Sequence, residues 1–108
     1  MKTFKVKQYR KEYEVYCKRN EYQYYNNTMV ALCTADGLPY CTLSTNPNFH
    51  IKDKNVFYAC LNNFGDILST MVDIGIIKLG GSIWRSGWNT YQSFIINEEV
   101  FKEYENWV

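Results

Sequence analysis

The chain has 108 residues, of which 46% are hydrophobic and 21% charged, which fits one globular domain spanning residues 1–108 rather than a disordered chain. The net charge of +1 is too small to indicate a partner, and the absence of a long apolar run predicts no transmembrane helix and no contact with a membrane. Aromatic residues make up 18% of the chain, including ten tyrosines, and this composition favours β structure and recognition surfaces.

Two hairpins are predicted in the N-terminal half. Phe4 and Val6 alternate with Lys5 and Lys7, and alternation resumes over residues 13–17, which is typical of an antiparallel pair with one solvent-facing side. Strands over 29–34 and 40–45 form a second hairpin around an Asp-Gly turn. Residues 56–61 are then expected to form a short buried strand.

One amphipathic helix is predicted after this strand. Its apolar residues share a stripe and its end has the pattern of a Schellman motif, with Gly75 as the left-handed residue and Ile76 as its hydrophobic contact. Asn62 or Asn63 is the expected N-cap. The stripe consists of Phe64, Ile67, Leu68, Met71 and Val72.

Two further strands, over residues 82–88 and 90–96, are expected to form a third hairpin, followed by a short helix that Asn97 caps and that runs through Trp107. Strand alternation puts Trp84 and Trp88 on one face, which we expect to lie in the core, with Arg85 facing solvent. The predicted fold is α+β: an antiparallel sheet of five to seven strands packed on one central helix, with a short C-terminal helix.

Catalysis and metal binding receive little support. The four cysteines include no CxxC pair, and the chain has a single histidine, His50, which we expect at the surface. Cys33, Cys41 and Cys60 lie in apolar runs and are expected to be reduced core thiols. No nucleophile–base pair, paired carboxylates or phosphate loop stands out, so we expect no enzyme, no metal and no cofactor. The N-terminus has no apolar signal segment, and we expect a cytoplasmic protein.

The segments NNTMVALCTADGLPYCTLSTN, LNNFGDIL, GIIKLGG and RSGWNTYQSF resemble a family of small uncharacterised proteins from bacterial mobile elements and phages. The resemblance covers residues 26–94 and departs from the family where Gln92 replaces a proline. It implies an accessory gene of a mobile element, a setting rich in inhibitors of host defence. The matching positions are Ala31, Asp36, Gly37, Pro39, Tyr40, Thr42, Leu43, Asn46, Asn62, Asn63, Gly75, Gly80, Ser86, Gly87 and Tyr91.

Three functions follow as hypotheses. The first is a small non-catalytic protein that inhibits a host-defence component, such as a CRISPR effector, by protein–protein contact through Tyr22, Tyr24, Tyr25 and Arg85. The second is nucleic-acid binding by a basic N-terminal hairpin with interleaved tyrosines. The third is a nucleotide-like ligand bound beside Trp84 or Trp88. The sequence leaves open whether the chain is a monomer or a homodimer. The basic candidates are Lys5, Lys7, Arg10, Lys11 and Arg19.

Overall fold

The structure is a computed structural model, and it describes residues 1–106. The described chain forms eight strands, one long helix and a short C-terminal helix. In chain order these are β1 Phe4–Gln8, β2 Lys11–Glu21, β3 Thr28–Thr34, β4 Pro39–Thr42, β5 Ser44–Thr45, β6 Val56–Cys60, α1 Leu61–Ile74, β7 Ile77–Ser86, β8 Asn89–Ile96, α2 Glu98–Phe101 and a 3₁₀ turn at Lys102–Tyr104.

The strands form two antiparallel sheets. The first sheet has the order β1-β2-β3-β4 and the second has the order β5-β6-β8-β7. The α+β class is confirmed, whereas the expectation of one sheet with five to seven strands is wrong. The error arises at Leu43, which is fully buried and donates its N–H to the Val30 carbonyl at 2.9 Å. The segment predicted as one strand over 40–45 therefore changes sheets at this residue.

Both sheets and α1 contribute to one buried cluster. Phe4 and Val15 enter it from the first sheet, Phe57 and Phe94 from the second, and Leu68 from the helix. Phe57 and Phe94 lie directly opposite each other on neighbouring strands, with ring centroids 5.8 Å apart. Of the predicted α1 stripe, Ile67, Leu68 and Met71 are buried as their spacing predicts, whereas Phe64 is half-buried and Val72 is 36% exposed.

The C-terminal end of α1 confirms the Schellman motif. Gly75 has φ +93°, and its N–H donates to the Val72 carbonyl at 3.0 Å, while the Ile76 N–H donates to the Met71 carbonyl at 3.0 Å. Ile76 and Met71 are both fully buried, which supplies the hydrophobic contact of the motif.

The predicted N-cap of α1 is wrong, because the helix begins at Leu61 and Cys60 occupies the cap position. The side chain of Asn62 instead accepts a hydrogen bond from the Thr90 N–H at 3.0 Å. Phe64 departs from helical geometry, with φ −126° and ψ 15°, so the first turn is separated from the regular helix by a kink.

The C-terminal helix is shorter than predicted. Asn97 occupies its N-cap, but the Asn97 side chain donates to the Gly75 carbonyl at 3.0 Å rather than capping the helix. The predicted end at Trp107 lies outside the described residues. The helices within residues 1–106 are too short or too polar to cross a bilayer.

A candidate protein-binding surface on the second sheet

Trp84 and Trp88, which strand alternation predicts on one face, have different environments in the β7–β8 hairpin. Strand β7 ends at Ser86, and Gly87 opens the two-residue turn with φ +60°. Trp88 lies in this turn and is 96% exposed, whereas Trp84 is half-buried within the strand. The predicted shared core face of Trp84 and Trp88 is therefore wrong, because strand periodicity ends before Trp88.

Trp84 belongs to an aromatic cluster formed by Phe49, Tyr58, Trp84 and Tyr91. Trp84 lies opposite Tyr91 across the β7–β8 ladder, and the two rings stack with centroids 4.7 Å apart. Tyr58 meets the Trp84 ring edge-on at 6.4 Å. Phe49 lies edge-on to both, 6.0 Å from Tyr58 and 6.4 Å from Trp84. Both arrangements, offset-stacked and edge-to-face, are favoured between aromatic rings.

The aromatic cluster lies on the side of the second sheet that faces away from the core. On β6, Phe57 and Ala59 are buried in the core, and Tyr58 between them points to the opposite face. None of the four rings belongs to the buried core cluster. The outer face of an antiparallel sheet is usually polar, so four rings gathered there form an aromatic patch outside the core.

A buried amide positions Phe49 within the cluster. Asn27 is 1% exposed, and its Nδ2 donates to Asn46 Oδ1 and to the Phe49 carbonyl, both at 2.9 Å. Its Oδ1 accepts the Ile51 N–H at 2.7 Å. Asn27 thus forms hydrogen bonds with three polar groups of the loop that carries Phe49. These bonds hold the loop against the N-terminal end of β3.

A groove of about 280 Å³ lies beside the cluster on the same face. Its floor includes an irregular stretch of β7 between Leu79 and Ile83, where an added Cβ at Gly80 would overlap Ser93 Oγ, so no larger residue fits at Gly80. Gln92 Nε2 donates to the Gly80 carbonyl at 2.9 Å and to the Ser82 carbonyl at 3.1 Å, and so holds this stretch in place. The groove is lined by Phe49, Ile51, Val56, Tyr58, Gly80, Gly81, Ser82, Ser93 and Ile95. Neither Trp84 nor Trp88 lines it, although the ligand hypothesis placed a pocket beside them.

The four predicted partner-binding residues do not form one site. Tyr22 is half-buried, and its hydroxyl hydrogen-bonds to the carbonyl and the hydroxyl of Ser44 at 3.0 and 2.9 Å, which accounts for it structurally. Tyr24 and Tyr25 are exposed on the loop before β3, 73% and 47% respectively. Arg85 is exposed near the other end of the sheet, and alternation places it on the face opposite Trp84.

The loop that carries Tyr24 and Tyr25 adjoins the loop that carries Phe49. His50 Nδ1 lies 2.7 Å from the Tyr25 carbonyl oxygen, and Asn46 Nδ2 donates to the Tyr24 carbonyl at 3.1 Å. His50 is exposed, as expected. The two exposed tyrosines are therefore fixed to the same end of the molecule as Phe49.

The predicted basic hairpin is partly neutralised by its own strands. Lys5 lies opposite Glu14 across the β1–β2 ladder, and Lys7 lies opposite Glu12. Lys5 Nζ is also 3.5 Å from a Glu12 carboxylate oxygen. Opposite charges on facing strand positions reduce the field that these lysines present to a nucleic acid.

Arg19 is engaged within the fold. Its guanidinium contacts Glu98 at 2.6 Å and Glu105 at 2.8 Å, and only 20% of its side chain is exposed. These hydrogen bonds raise the pKa of Arg19 and lower the pKa of Glu98. Arg10 and Lys11, at the β1–β2 turn, are exposed and are the basic candidates best placed for solvent contact.

The thiols have the character of core residues. All four cysteines are free, with Cys17, Cys33 and Cys60 buried and Cys41 half-buried. Burial raises the pKa of Cys17 to about 12 and that of Cys41 to about 11, so both thiols are protonated and weakly nucleophilic at neutral pH. Within residues 1–106, no three His, Cys, Asp or Glu side chains converge in an arrangement that could hold a metal ion.

Sequence reasoning missed Phe49, Tyr58 and Asn27. Tyr58 sits in an apolar run that reads as fully buried, and nothing in the sequence shows that the loop at Phe49 reaches this strand. Comparison with family models, with curated proteins and with solved structures found no match to this chain.

Proposed function

We propose that this protein is a non-catalytic binding protein that recognises another protein through its aromatic cluster. The supporting observation is the position of the four rings, which pack against one another on the outer face of the second sheet instead of in the core. Rigid rings provide contact area at low entropic cost, and exposed aromatic patches are typical of protein interfaces.

The surroundings of the cluster favour a protein over a small molecule. Phe49 is 42% exposed, and the adjoining loop adds the exposed rings of Tyr24 and Tyr25. Trp88 extends the same hairpin that carries Trp84 and is almost fully exposed. The exposed rings thus occur in the loop before β3, in the cluster and in the β7–β8 turn, which together span more surface than a small ligand would cover.

The proposed biological role is inhibition of a host-defence component, with a CRISPR effector as the first candidate. This finer proposal rests on the resemblance to small proteins of mobile elements and phages. The cluster is compatible with it, because steric inhibitors need a stable binding face and no reactive group.

Matched variants test the binding proposal. The double substitution Phe49→Ala/Tyr58→Ala removes two rings that lie outside the core, and Leu38→Ala alters a residue that is 60% exposed in the turn before β4. We expect a partner retained by the wild type and by Leu38→Ala in affinity capture to be lost with the double variant. Identical capture by all three proteins would refute the role of the cluster.

The host-defence role has its own test. Phage plaquing would be measured on a CRISPR-competent host that expresses each protein in turn. We expect the wild type and Leu38→Ala to raise plaquing and the double variant not to do so. If the wild type leaves plaquing unchanged across hosts with different defence systems, the inhibitory role fails, while the capture experiment still decides whether the cluster binds protein.

The β1–β2 turn supports nucleic-acid binding as a second candidate. Tyr9 is 90% exposed beside Arg10 and Lys11, which combines an aromatic platform with two cations. A salt titration with single-stranded and double-stranded oligonucleotides tests this function, using Arg10→Ser/Lys11→Ser as the comparison. Absence of salt-dependent binding at low ionic strength would exclude it.

A further inference from the structure

The two sheets have four edge strands, and three of them have features that limit pairing with another chain. Strand β1 alternates with lysines, β4 has four residues and begins at Pro39, and β5 has only two residues. Strand β7 has a register irregularity between Leu79 and Ile83, but it is ten residues long and exposes these two residues by 65% and 60%. A long edge strand with exposed aliphatic residues invites strand addition.

The irregular stretch of β7 between Leu79 and Ile83 is held by hydrogen bonds from β8 alone among the side chains of the described residues. The side chains that hydrogen-bond to its backbone, Gln92 and Ser93, both belong to β8 on the inner side. On the other side of β7 the sheet order ends. A Cβ on Gly81 would meet nothing within 4 Å, so the middle of the edge is accessible to another backbone.

An apolar groove continues inward from the same edge. It has a volume of about 250 Å³ and lies between α1 and β7, with Leu79 on its rim and Phe94 among its lining residues. Leu61 and Val72 of the helix, 37% and 36% exposed, also line it. Leu79 therefore joins the exposed edge of β7 to this apolar groove.

We propose that a second copy of this chain pairs antiparallel with β7 about a two-fold axis at Gly81. In this register Leu79 of the first copy lies opposite Ile83 of the second copy. By symmetry, Ile83 of the first copy lies opposite Leu79 of the second. Leu79 and Ile83 pair with Phe94 and Gln92 of β8, so they lie on the same face of the sheet. The two most exposed aliphatic residues of the edge therefore cover each other, and Ile83 of the second copy lies at the mouth of the groove.

The charges on β7 fit this register. Lys78 lies opposite Trp84 of the second copy, and both belong to the outer face according to their partners in β8. Arg85 lies opposite Ile77, so no two cations face each other. An ammonium group over an indole ring is favourable. The same residues of both copies contact each other in this arrangement, as the isologous interface of a two-fold dimer requires. This self-complementarity supports a second copy of the chain as the partner that pairs with β7.

The dimer would join the second sheets of two copies into one eight-stranded sheet. A two-fold axis perpendicular to the sheet places both aromatic clusters on the same side, with Lys78 of one copy beside Trp84 of the other. Self-association does not depend on the proposed partner-binding function, since it is measured with the purified protein alone.

Sedimentation equilibrium over a wide concentration range tests the proposal. We expect the mass of the wild type to rise toward twice the 12.8 kDa of the chain. Leu79→Glu and Ile83→Glu each bury two carboxylates in the dimer, so we expect at least about tenfold weaker association for either variant. Leu38→Glu, at a similarly exposed position in the turn before β4, should dimerise as the wild type does.

A charge exchange tests the register. Leu79→Lys and Ile83→Glu should each associate weakly alone, but an equimolar mixture should form a heterodimer, because opposite charges meet at one of the two pairs. Circular dichroism confirms the fold of every variant. If a charged variant does not fold, Leu79→Thr and Ile83→Thr replace them, since threonine is well accepted in strands, and both should still weaken association.

Three results would overturn the proposal. The first is a wild type that stays monomeric at millimolar concentration. The second is a dimer whose affinity is unchanged by substitution at both Leu79 and Ile83. The third is a mixture of the two charged variants that associates no better than either variant alone.

Discussion

Replacement of Arg19 by methionine would remove the centre of an ion-pair network that joins β2 to the C-terminal segment. The Arg19 guanidinium donates to Glu98 at 2.6 Å, and to the two carboxylate oxygens of Glu105 at 2.8 and 3.0 Å. It also lies 4.9 Å from the centre of the Phe101 ring. Methionine keeps much of the apolar contact and removes the charge.

The expected loss of stability comes mainly from Glu105, whose side chain is 6% exposed. Without Arg19 this carboxylate stays buried and unpaired, and breaking a buried pair costs about 3–5 kcal/mol. Arg19 is itself 20% exposed, which favours the lower end of that range. We expect a decrease of about 3 kcal/mol in the free energy of unfolding, or about 10–20 °C in Tm for a domain of this size.

Urea denaturation at pH 7 measures the change, with Lys2→Met as the matched control. Lys2 forms an ion pair with Glu103 at 2.9 Å, but the two side chains are 61% and 43% exposed. Such surface pairs contribute about 0–1 kcal/mol. If Arg19→Met destabilises the protein no more than Lys2→Met, the reasoning about the buried carboxylate is refuted.

The ion-pair network of Arg19 also predicts that the stability of the fold depends on pH. The hydrogen bond from Arg19 lowers the pKa of Glu98 in the folded protein. A carboxyl group with a lowered folded pKa stabilises the fold above its unfolded pKa, and this contribution disappears as the pH falls through the folded value. The stability difference between the wild type and Arg19→Met should therefore narrow below about pH 4.3. A constant difference down to pH 3 would contradict this.

Three further tests, with five substitutions, concern the second sheet and the loop that carries Phe49, each by thermal and urea denaturation. Gly80→Ala should cost about 2 kcal/mol or more because its Cβ would overlap β8, whereas Gly81→Ala, with open space around it, should change stability by less than about 0.5 kcal/mol; equal effects would contradict the packing of this stretch. Asn27→Ala should cost about 2 kcal/mol because it leaves part-buried backbone groups without their hydrogen-bond partner, and an effect under about 1 kcal/mol would show that the loop is held by other contacts. Trp88→Ala should leave stability within about 0.5 kcal/mol of the wild type, while Trp84→Ala should cost about 1 kcal/mol or more; the reverse order would refute the turn assignment.

Local sequence patterns predicted several elements correctly because their signals are local. The alternation of Phe4 and Val6 with lysines, and the left-handed glycine at Gly75, depend only on neighbouring residues. The helix stripe is equally local, and Leu68 and Met71 are buried as their spacing predicts. These features specify an α+β chain of hairpins around one helix.

The candidate site depends on contacts between distant segments. Phe49 reaches Trp84 only because Asn27 anchors its loop, and the three residues come from separate parts of the chain. Arg19 looks like a free cation in the sequence, but the fold brings it to Glu105. No local pattern records either contact.

The sequence by itself determined which segments form hairpins and which forms the main helix, though not their bounds, since backbone propensity and hydrophobic periodicity act over a few residues. Only the tertiary structure decided that the strands divide into two sheets at Leu43, and that Tyr58 and Trp84 face away from the core. The physical reason is that alternation specifies two faces for a strand, while the packing of both sheets on α1 decides which face is buried.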